Sequence, residues 1–105
     1  MAQFDVYPNP SKATRQAYPY LVDVQNTIIE DLDTRLVVPL TPSVSKPNML
    51  MAKLTPEVYI DGNAHLFLTP QMASVPKDIL KQPIGTLEGS RSVLIDAIDF
   101  AVTGI

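Results

Sequence analysis

The sequence predicts a small, mostly antiparallel β domain that ends in one α-helix. Short alternating or β-branched segments recur along the chain and are separated by turn residues. The 10 prolines outnumber the 4 glycines, which favours loops and strand edges over long helices. Only the last segment carries apolar residues at helical spacing. With 105 residues, the chain is expected to form a single domain, 1–105, with its own core.

Three strands are predicted in the first forty residues. Residues 3–7 alternate between polar and apolar side chains, which is typical of a half-buried strand with Phe4 and Val6 on one face. An exposed loop follows at residues 11–18, and residues 20–25 form the second strand. Residues 35–40 are β-branched and form a buried third strand, in which Pro39 indicates the end of the ladder or a sheet edge.

The clearest hairpin is centred on Asp61 and Gly62, between apolar segments at residues 57–60 and 66–68. An Asp-Gly pair readily adopts the positive φ angles that a tight hairpin turn requires. We therefore expect two adjacent antiparallel strands at this point of the chain.

The final helix is expected to begin near Ser90, a residue type that is favoured at the N-cap. Its apolar residues recur at intervals of three and four, which predicts one buried face. The residues expected on that face are Val93, Leu94, Ala97, Ile98 and Ala101.

Composition excludes several classes of function. A net charge of −3 and a pI of about 4.8, with no basic stripe, disfavour nucleic acid as the main partner. The absence of cysteine excludes disulfides, thiolate zinc sites and thiol nucleophiles. The N-terminus lacks the basic and apolar regions of a secretory signal, and no apolar run approaches the ~20 residues of a membrane span. We expect a soluble, cytoplasmic protein without membrane contact.

No residue pattern indicates a catalytic, metal or cofactor site. His65 is the only histidine, and a lone histidine beside a hairpin turn is typical of a solvated or packed side chain. The acidic residues of segment 30–33 do not have the spacing of a calcium loop and are expected to form a solvated turn. Asp96 and Asp99 share a helix face, which we expect to be exposed to solvent or to a basic partner.

Five segments taken together resemble the CcdB family of toxin–antitoxin proteins. Their content, order and spacing carry the resemblance, which spans nearly the whole chain. The segments are Gln-Phe-Asp-Val-Tyr at 3–7, Leu-Val-Asp-Val-Gln at 21–25 with Ile28 and Ile29, Arg-Leu-Val-Val-Pro-Leu at 35–40, Met-Ala-Ser-Val-Pro at 72–76 and the terminal Gly104-Ile105.

The resemblance implies an SH3-like antiparallel β-barrel with a C-terminal α-helix, assembled as a homodimer. It implies a toxin of a plasmid-maintenance system, or a chromosomal version of one. Such a toxin is not an enzyme: it binds the dimerisation region of the DNA gyrase A subunit and traps gyrase on cleaved DNA. A CcdA-type antitoxin neutralises the toxin through a segment that is disordered when free. The two together repress their operon, so that the toxin reaches DNA only through the antitoxin.

The resemblance also implies which positions contact these partners. The gyrase-binding positions are Ile28, Ile29, Asp99, Val102, Thr103, Gly104 and Ile105. Three of these, namely Ile28, Ile29 and Ile105, are also expected to contact the antitoxin. The helix end and residues 72–76 are expected to lie near the dimer two-fold axis.

Three of the gyrase-binding positions depart from the family pattern. The family has a Phe and then a Trp before the terminal Gly-Ile, and this chain has Val102 and Thr103. An Asn of the family corresponds to Asp99. Because a tryptophan at an interface commonly contributes at least ~2 kcal/mol, the Thr103 position predicts weaker binding to gyrase.

Two other functions stay open from the sequence. Endoribonuclease toxins of the MazF/Kid type share the barrel fold, although they require a basic cleft and polar catalytic groups that this acidic chain does not display. An inactive relative that only binds the antitoxin is favoured by Thr103.

Overall fold

The computed structural model describes residues 2–26, 32–43 and 53–104. In this part of the chain, seven strands form one sheet and a single long helix, α1, follows them at Arg91–Thr103. The strands are β1 Asp5–Pro8, β2 Tyr20–Asp23, β3 Thr34–Pro42, β4 Glu57–Ile60, β5 Asn63–Phe67, β6 Ala73–Pro76 and β7 Gly85–Thr86. Short 3-10 turns lie at Thr69–Gln71, Lys77–Ile79 and Glu88–Ser90.

The sheet is antiparallel throughout and curls into a half-barrel. Its strand order is β4-β5-β3-β2-β1-β7, and β6 pairs with the first half of β3. The predicted fold class, mostly β with a C-terminal helix, is therefore confirmed.

Both faces of β1, β2 and β3 are largely buried, which explains why consecutive apolar residues occur in each of them. The inner cluster contains Val22, Val38, Phe67 and, from the helix, Leu94. A second cluster on the opposite face is smaller. Its buried members are Tyr7, Leu21, Val37 and Leu80. The first strand is thus buried on both sides rather than half-buried, and it begins after Phe4, whose φ of 72° lies outside the strand region.

The expectation that Pro39 ends the ladder or marks an edge is wrong. β3 continues through Pro39 to Pro42 and is the central strand, pairing with β2, β5 and β6. The carbonyl of Pro39 accepts a hydrogen bond from the amide of Leu68, 3.1 Å away. The N and C=O groups of one strand residue point to the same side of the strand. At Pro39 that side lies between the part of β3 that pairs with β6 and the part that pairs with β5. The missing N–H of Pro39 therefore removes no hydrogen bond from either pairing.

The predicted hairpin is confirmed. Asp61 and Gly62, with φ angles of 51° and 80°, form the two-residue turn between β4 and β5. Both positive angles belong to the type I′ turn that an Asp-Gly pair favours.

The predicted start of the helix near Ser90 is confirmed, whereas its predicted buried face needs correction. Ser90 occupies the N-cap position, but its side chain makes no capping hydrogen bond because the preceding 3-10 turn runs directly into α1. Leu94 and Ala97 are buried, whereas Val93 is 52% exposed and Ala101 is exposed. The stripe of α1 that the sheet covers is therefore narrower than the apolar stripe in the sequence.

Candidate functional site

The C-terminal end of α1 is an exposed surface that includes an apolar side chain. Asp99, Val102, Thr103 and Gly104 are all exposed, and Val102 is 66% exposed. The structure thus brings four of the predicted binding residues together at the C-terminal end of one helix. The predicted exposure of Asp96 and Asp99 is also confirmed.

The backbone of this last turn is capped by its own residues. Gly104 adopts the left-handed conformation, with φ 76° and ψ 16°, and its N–H donates to the carbonyl of Phe100 at 2.9 Å. The Thr103 hydroxyl donates to the carbonyl of Asp99 at 2.6 Å. The Gly104 bond satisfies one of the carbonyls that a helix C-terminus otherwise leaves free, and the Thr103 bond adds a side-chain donor to a carbonyl inside the helix.

Phe100 is half-buried beside this surface, and Lys53 lies against its ring. The Lys53 ammonium nitrogen is 4.9 Å from the centre of the Phe100 ring, which is the geometry of a cation–π contact. Because the two residues are far apart in sequence, periodicity gives no signal for this contact. The Phe100 ring therefore already has a contact partner, Lys53, within the same chain.

The other predicted binding residues lie outside the described residues. They are Ile28, Ile29 and Ile105, and their roles stay predictions. The backbone that leads toward the two isoleucines is described as far as Asn26, and sequence reasoning missed the polar side chains that hold it.

A buried ion pair lies where β2 ends. The Arg35 guanidinium donates to the Asp23 carboxylate through Nη2 at 2.8 Å and Nε at 3.0 Å. The two side chains are 1% and 0% exposed, respectively. Burial raises the pKa of Asp23 above its ordinary value, against the opposing effect of the Arg35 hydrogen bond. Among the described residues, Arg35 Nη1 has no hydrogen-bond acceptor.

A second polar link joins this region to the start of α1. Arg91 Nη1 donates to the Gln3 side-chain oxygen at 2.6 Å, and the Gln3 side-chain nitrogen donates to the Val24 carbonyl at 3.2 Å. The Arg91 guanidinium also lies over the Phe4 ring, 5.6 Å from its centre. The end of β2 and the first turn of the helix are thus connected through residues near the N-terminus.

His65 is a packed side chain rather than a solvated one, which is one of the two alternatives that the sequence predicts. It is 6% exposed, its Nδ1 lies 2.9 Å from the carbonyl oxygen of Asn63, and its ring meets Tyr20 edge-to-face. These contacts give the imidazole a structural role inside the half-barrel.

Comparison with protein families decides the assignment. The family model described as CcdB protein matches residues 3–104, which is nearly the whole chain. The chain belongs to the CcdB family. CcdB proteins are, in general, toxins of toxin–antitoxin systems that poison gyrase rather than enzymes. In the described part of this CcdB chain, no helix has the length and hydropathy of a membrane span.

Proposed function

We propose that this CcdB-family protein binds the dimerisation region of the DNA gyrase A subunit and traps gyrase on cleaved DNA, which inhibits replication and transcription. The family match over residues 3–104 is the observation that carries the proposal. The proposed binding surface comprises Asp99, Val102, Thr103, Gly104 and Ile105 together with Ile28 and Ile29. This activity requires a cytoplasmic protein, since gyrase acts on DNA there.

The chemistry of the helix end supports a protein partner. Val102 offers apolar area that a partner could bury, and the Asp99 carboxylate could accept hydrogen bonds from a basic group. Thr103 offers less area than the family's tryptophan, and its hydroxyl already donates to the backbone carbonyl of Asp99. We therefore propose a weaker gyrase contact than the family pattern implies, rather than a lost one.

The proposal includes a homodimer and a CcdA-type antitoxin. A disordered antitoxin segment would offset its ordering cost by covering a large surface that overlaps the gyrase site at Ile28, Ile29 and Ile105. Within the described residues, β6 pairs only with β3, and Ala73 and Ser74 are exposed at its other side. We propose that this strand lies near the dimer two-fold axis. Operon repression and a plasmid-maintenance role would follow through the antitoxin complex.

Growth inhibition and gyrase–DNA cleavage test the proposal together. We expect the overexpressed protein to stop bacterial growth, and the purified protein to accumulate cleaved DNA with gyrase. Deleting Val102 to Ile105 should abolish both effects. The matched control is Tyr59→Ser on β4, which removes an exposed apolar side chain far along the sequence from the helix and should change neither effect. Inhibition that survives the deletion would contradict the proposal.

Two further outcomes would favour the other functions. Cleavage of single-stranded RNA by the purified protein would indicate an endoribonuclease of the MazF/Kid type. Normal growth on strong expression, combined with tight binding of an antitoxin peptide, would indicate an inactive antitoxin-binding relative.

A further inference from the structure

The two residues that follow β2 are held almost entirely by side chains. All four polar backbone groups of Val24 and Gln25 have a partner. The Val24 N–H donates to the Leu36 carbonyl at 2.9 Å, which is the only backbone partner among the four. The remaining three are held by Gln3 at the Val24 carbonyl, Asp23 Oδ1 at the Gln25 N–H (2.9 Å) and Arg35 Nη2 at the Gln25 carbonyl (3.4 Å).

Asp23 and Arg35 therefore bind both polar backbone groups of one residue, Gln25. The Asp23 carboxylate accepts from Arg35 at Oδ2 and from the backbone N–H of Gln25 at Oδ1. The same Arg35 nitrogen that contacts Asp23 also reaches the Gln25 carbonyl. Because both side chains are fully buried and packed, their positions are fixed, and with them the direction of the chain at Gln25.

Stability alone is a poor explanation for this pair. Removing two charges from water costs several kcal/mol per ion, which the mutual attraction offsets only if the remaining donors are satisfied. Arg35 Nη1 is buried and has no acceptor among the described residues, so this condition is not met. Apolar side chains at both positions would therefore be expected to leave the chain folded.

We propose that Asp23 and Arg35 are positioning residues for partner binding: as a pair they fix the Gln25 backbone and thereby set the direction in which the chain leaves β2 toward Ile28 and Ile29. The proposal rests on the proposed function for the identity of the partner. It does not place either side chain in contact with that partner, since both are buried beneath the surface.

The experiment compares three variants with the wild-type protein. The double variant Asp23→Val/Arg35→Met removes the pair without leaving a lone buried charge. Arg35→Lys keeps the charge but lacks the planar fork that reaches Asp23 and Gln25 together. Val37→Ala, on the same face of β3, is the control, because it loosens buried packing without touching Gln25.

Four measurements are made on each variant. Urea unfolding measures whether each variant unfolds cooperatively and how stable it is. Amide hydrogen exchange reports the Gln25 N–H, with the Val24 N–H as an internal reference because Leu36 holds it independently of the pair. Titration with the purified gyrase A dimerisation domain reports affinity, and backbone chemical shifts are recorded for residues 26–29.

We expect the double variant to unfold cooperatively, with the Gln25 amide exchanging at least about tenfold faster relative to Val24. Its affinity for the gyrase domain should fall at least about fivefold. Arg35→Lys should change both quantities in the same direction, and Val37→Ala should lower stability while leaving the affinity unchanged. Affinity that follows stability across all three variants would overturn the proposal, as would a folded double variant with wild-type exchange, shifts and affinity.

A wild-type protein that does not bind the gyrase domain would refute the proposed function instead. In that case, the chemical shifts of residues 26–29 and the Gln25 exchange decide the positioning role. Unchanged values in the folded double variant would overturn it.

Discussion

The Thr103 hydroxyl donates to the carbonyl of Asp99, 2.6 Å away and one turn earlier on α1. Together with the bond from the Gly104 N–H to the Phe100 carbonyl, it holds the last turn by contacts within the chain. The end of the helix is therefore a preformed surface. A preformed surface loses less conformational entropy on binding than one that must order first.

Thr103→Trp should tighten binding to the gyrase A dimerisation domain. Because Thr103 is exposed, an indole at this position can be accommodated without disturbing the core. The tryptophan restores the large aromatic area that the family pattern has at this position. Because such a residue commonly contributes ~2 kcal/mol at an interface, we expect roughly tenfold or more in Kd. Titration of the two proteins with the gyrase domain measures the change.

Thr103→Ala separates the aromatic effect from the loss of the hydroxyl. It removes the bond to Asp99 and should change the affinity and the unfolding free energy by no more than about 0.5 kcal/mol, as is usual for an exposed site. Equal affinities for the Trp and Ala variants would show that position 103 does not contact gyrase.

The elements that the sequence predicts well are those fixed by local chemistry. The β4–β5 hairpin follows from two residues, Asp61 and Gly62, whose preferred backbone angles agree with the turn. The amphipathic pattern of α1 likewise predicts a C-terminal helix with Leu94 and Ala97 buried. These signals need no knowledge of the rest of the chain.

Features that depend on distant segments could not be predicted in the same way. Pro39 is accommodated in a central strand because two partner strands separate beside it. Arg35 appears in the sequence as one of several charges, and only the pairing of β2 with β3 shows that it is buried against Asp23. The contact between Lys53 and Phe100 depends in the same way on how the helix packs.

Gly104→Ala should destabilise the last turn of α1. A Cβ at Gly104 would meet open space, so the penalty comes from the φ of 76° and not from a clash. The left-handed conformation costs a non-glycine residue about 1 kcal/mol, and at a helix end part of this is relieved by fraying. We expect a loss of up to ~1 kcal/mol in unfolding free energy and weaker gyrase binding.

Gly89→Ala is the matched control for that variant. Gly89 also faces open space but does not have a positive φ, so alanine there should be neutral or slightly stabilising. Urea unfolding of both variants makes the comparison. A similar destabilisation at the two positions would contradict the role of the Gly104 conformation.

Lys53 and Phe100 should show a measurable coupling in a double-mutant cycle. Lys53→Met removes the cation while keeping a long side chain, and Phe100→Leu removes the ring. Because Lys53 is exposed, we expect a coupling of about 0.5 kcal/mol in unfolding free energy, the lower end of the range for cation–π contacts. Repeating the cycle with Lys81→Met, another exposed lysine, should give no coupling. Equal values for the two lysines would exclude a specific Lys53 contact.

Asp23→Asn should change how stability depends on pH. Burial raises the pKa of Asp23 in the folded protein above its ordinary value of 3.8, so the folded state holds the proton more tightly than the unfolded chain does. The contribution of this group to stability is therefore greatest below pH 3.8 and falls as the pH rises through the folded-state pKa.

Asparagine does not titrate. The difference in unfolding free energy between wild type and Asp23→Asn should thus decrease as the pH rises from 3.8 to the folded-state pKa, and stay constant above it. Urea unfolding at a series of pH values measures this difference. A difference that grows with pH would show that the Arg35 charge outweighs burial and holds the pKa of Asp23 below 3.8.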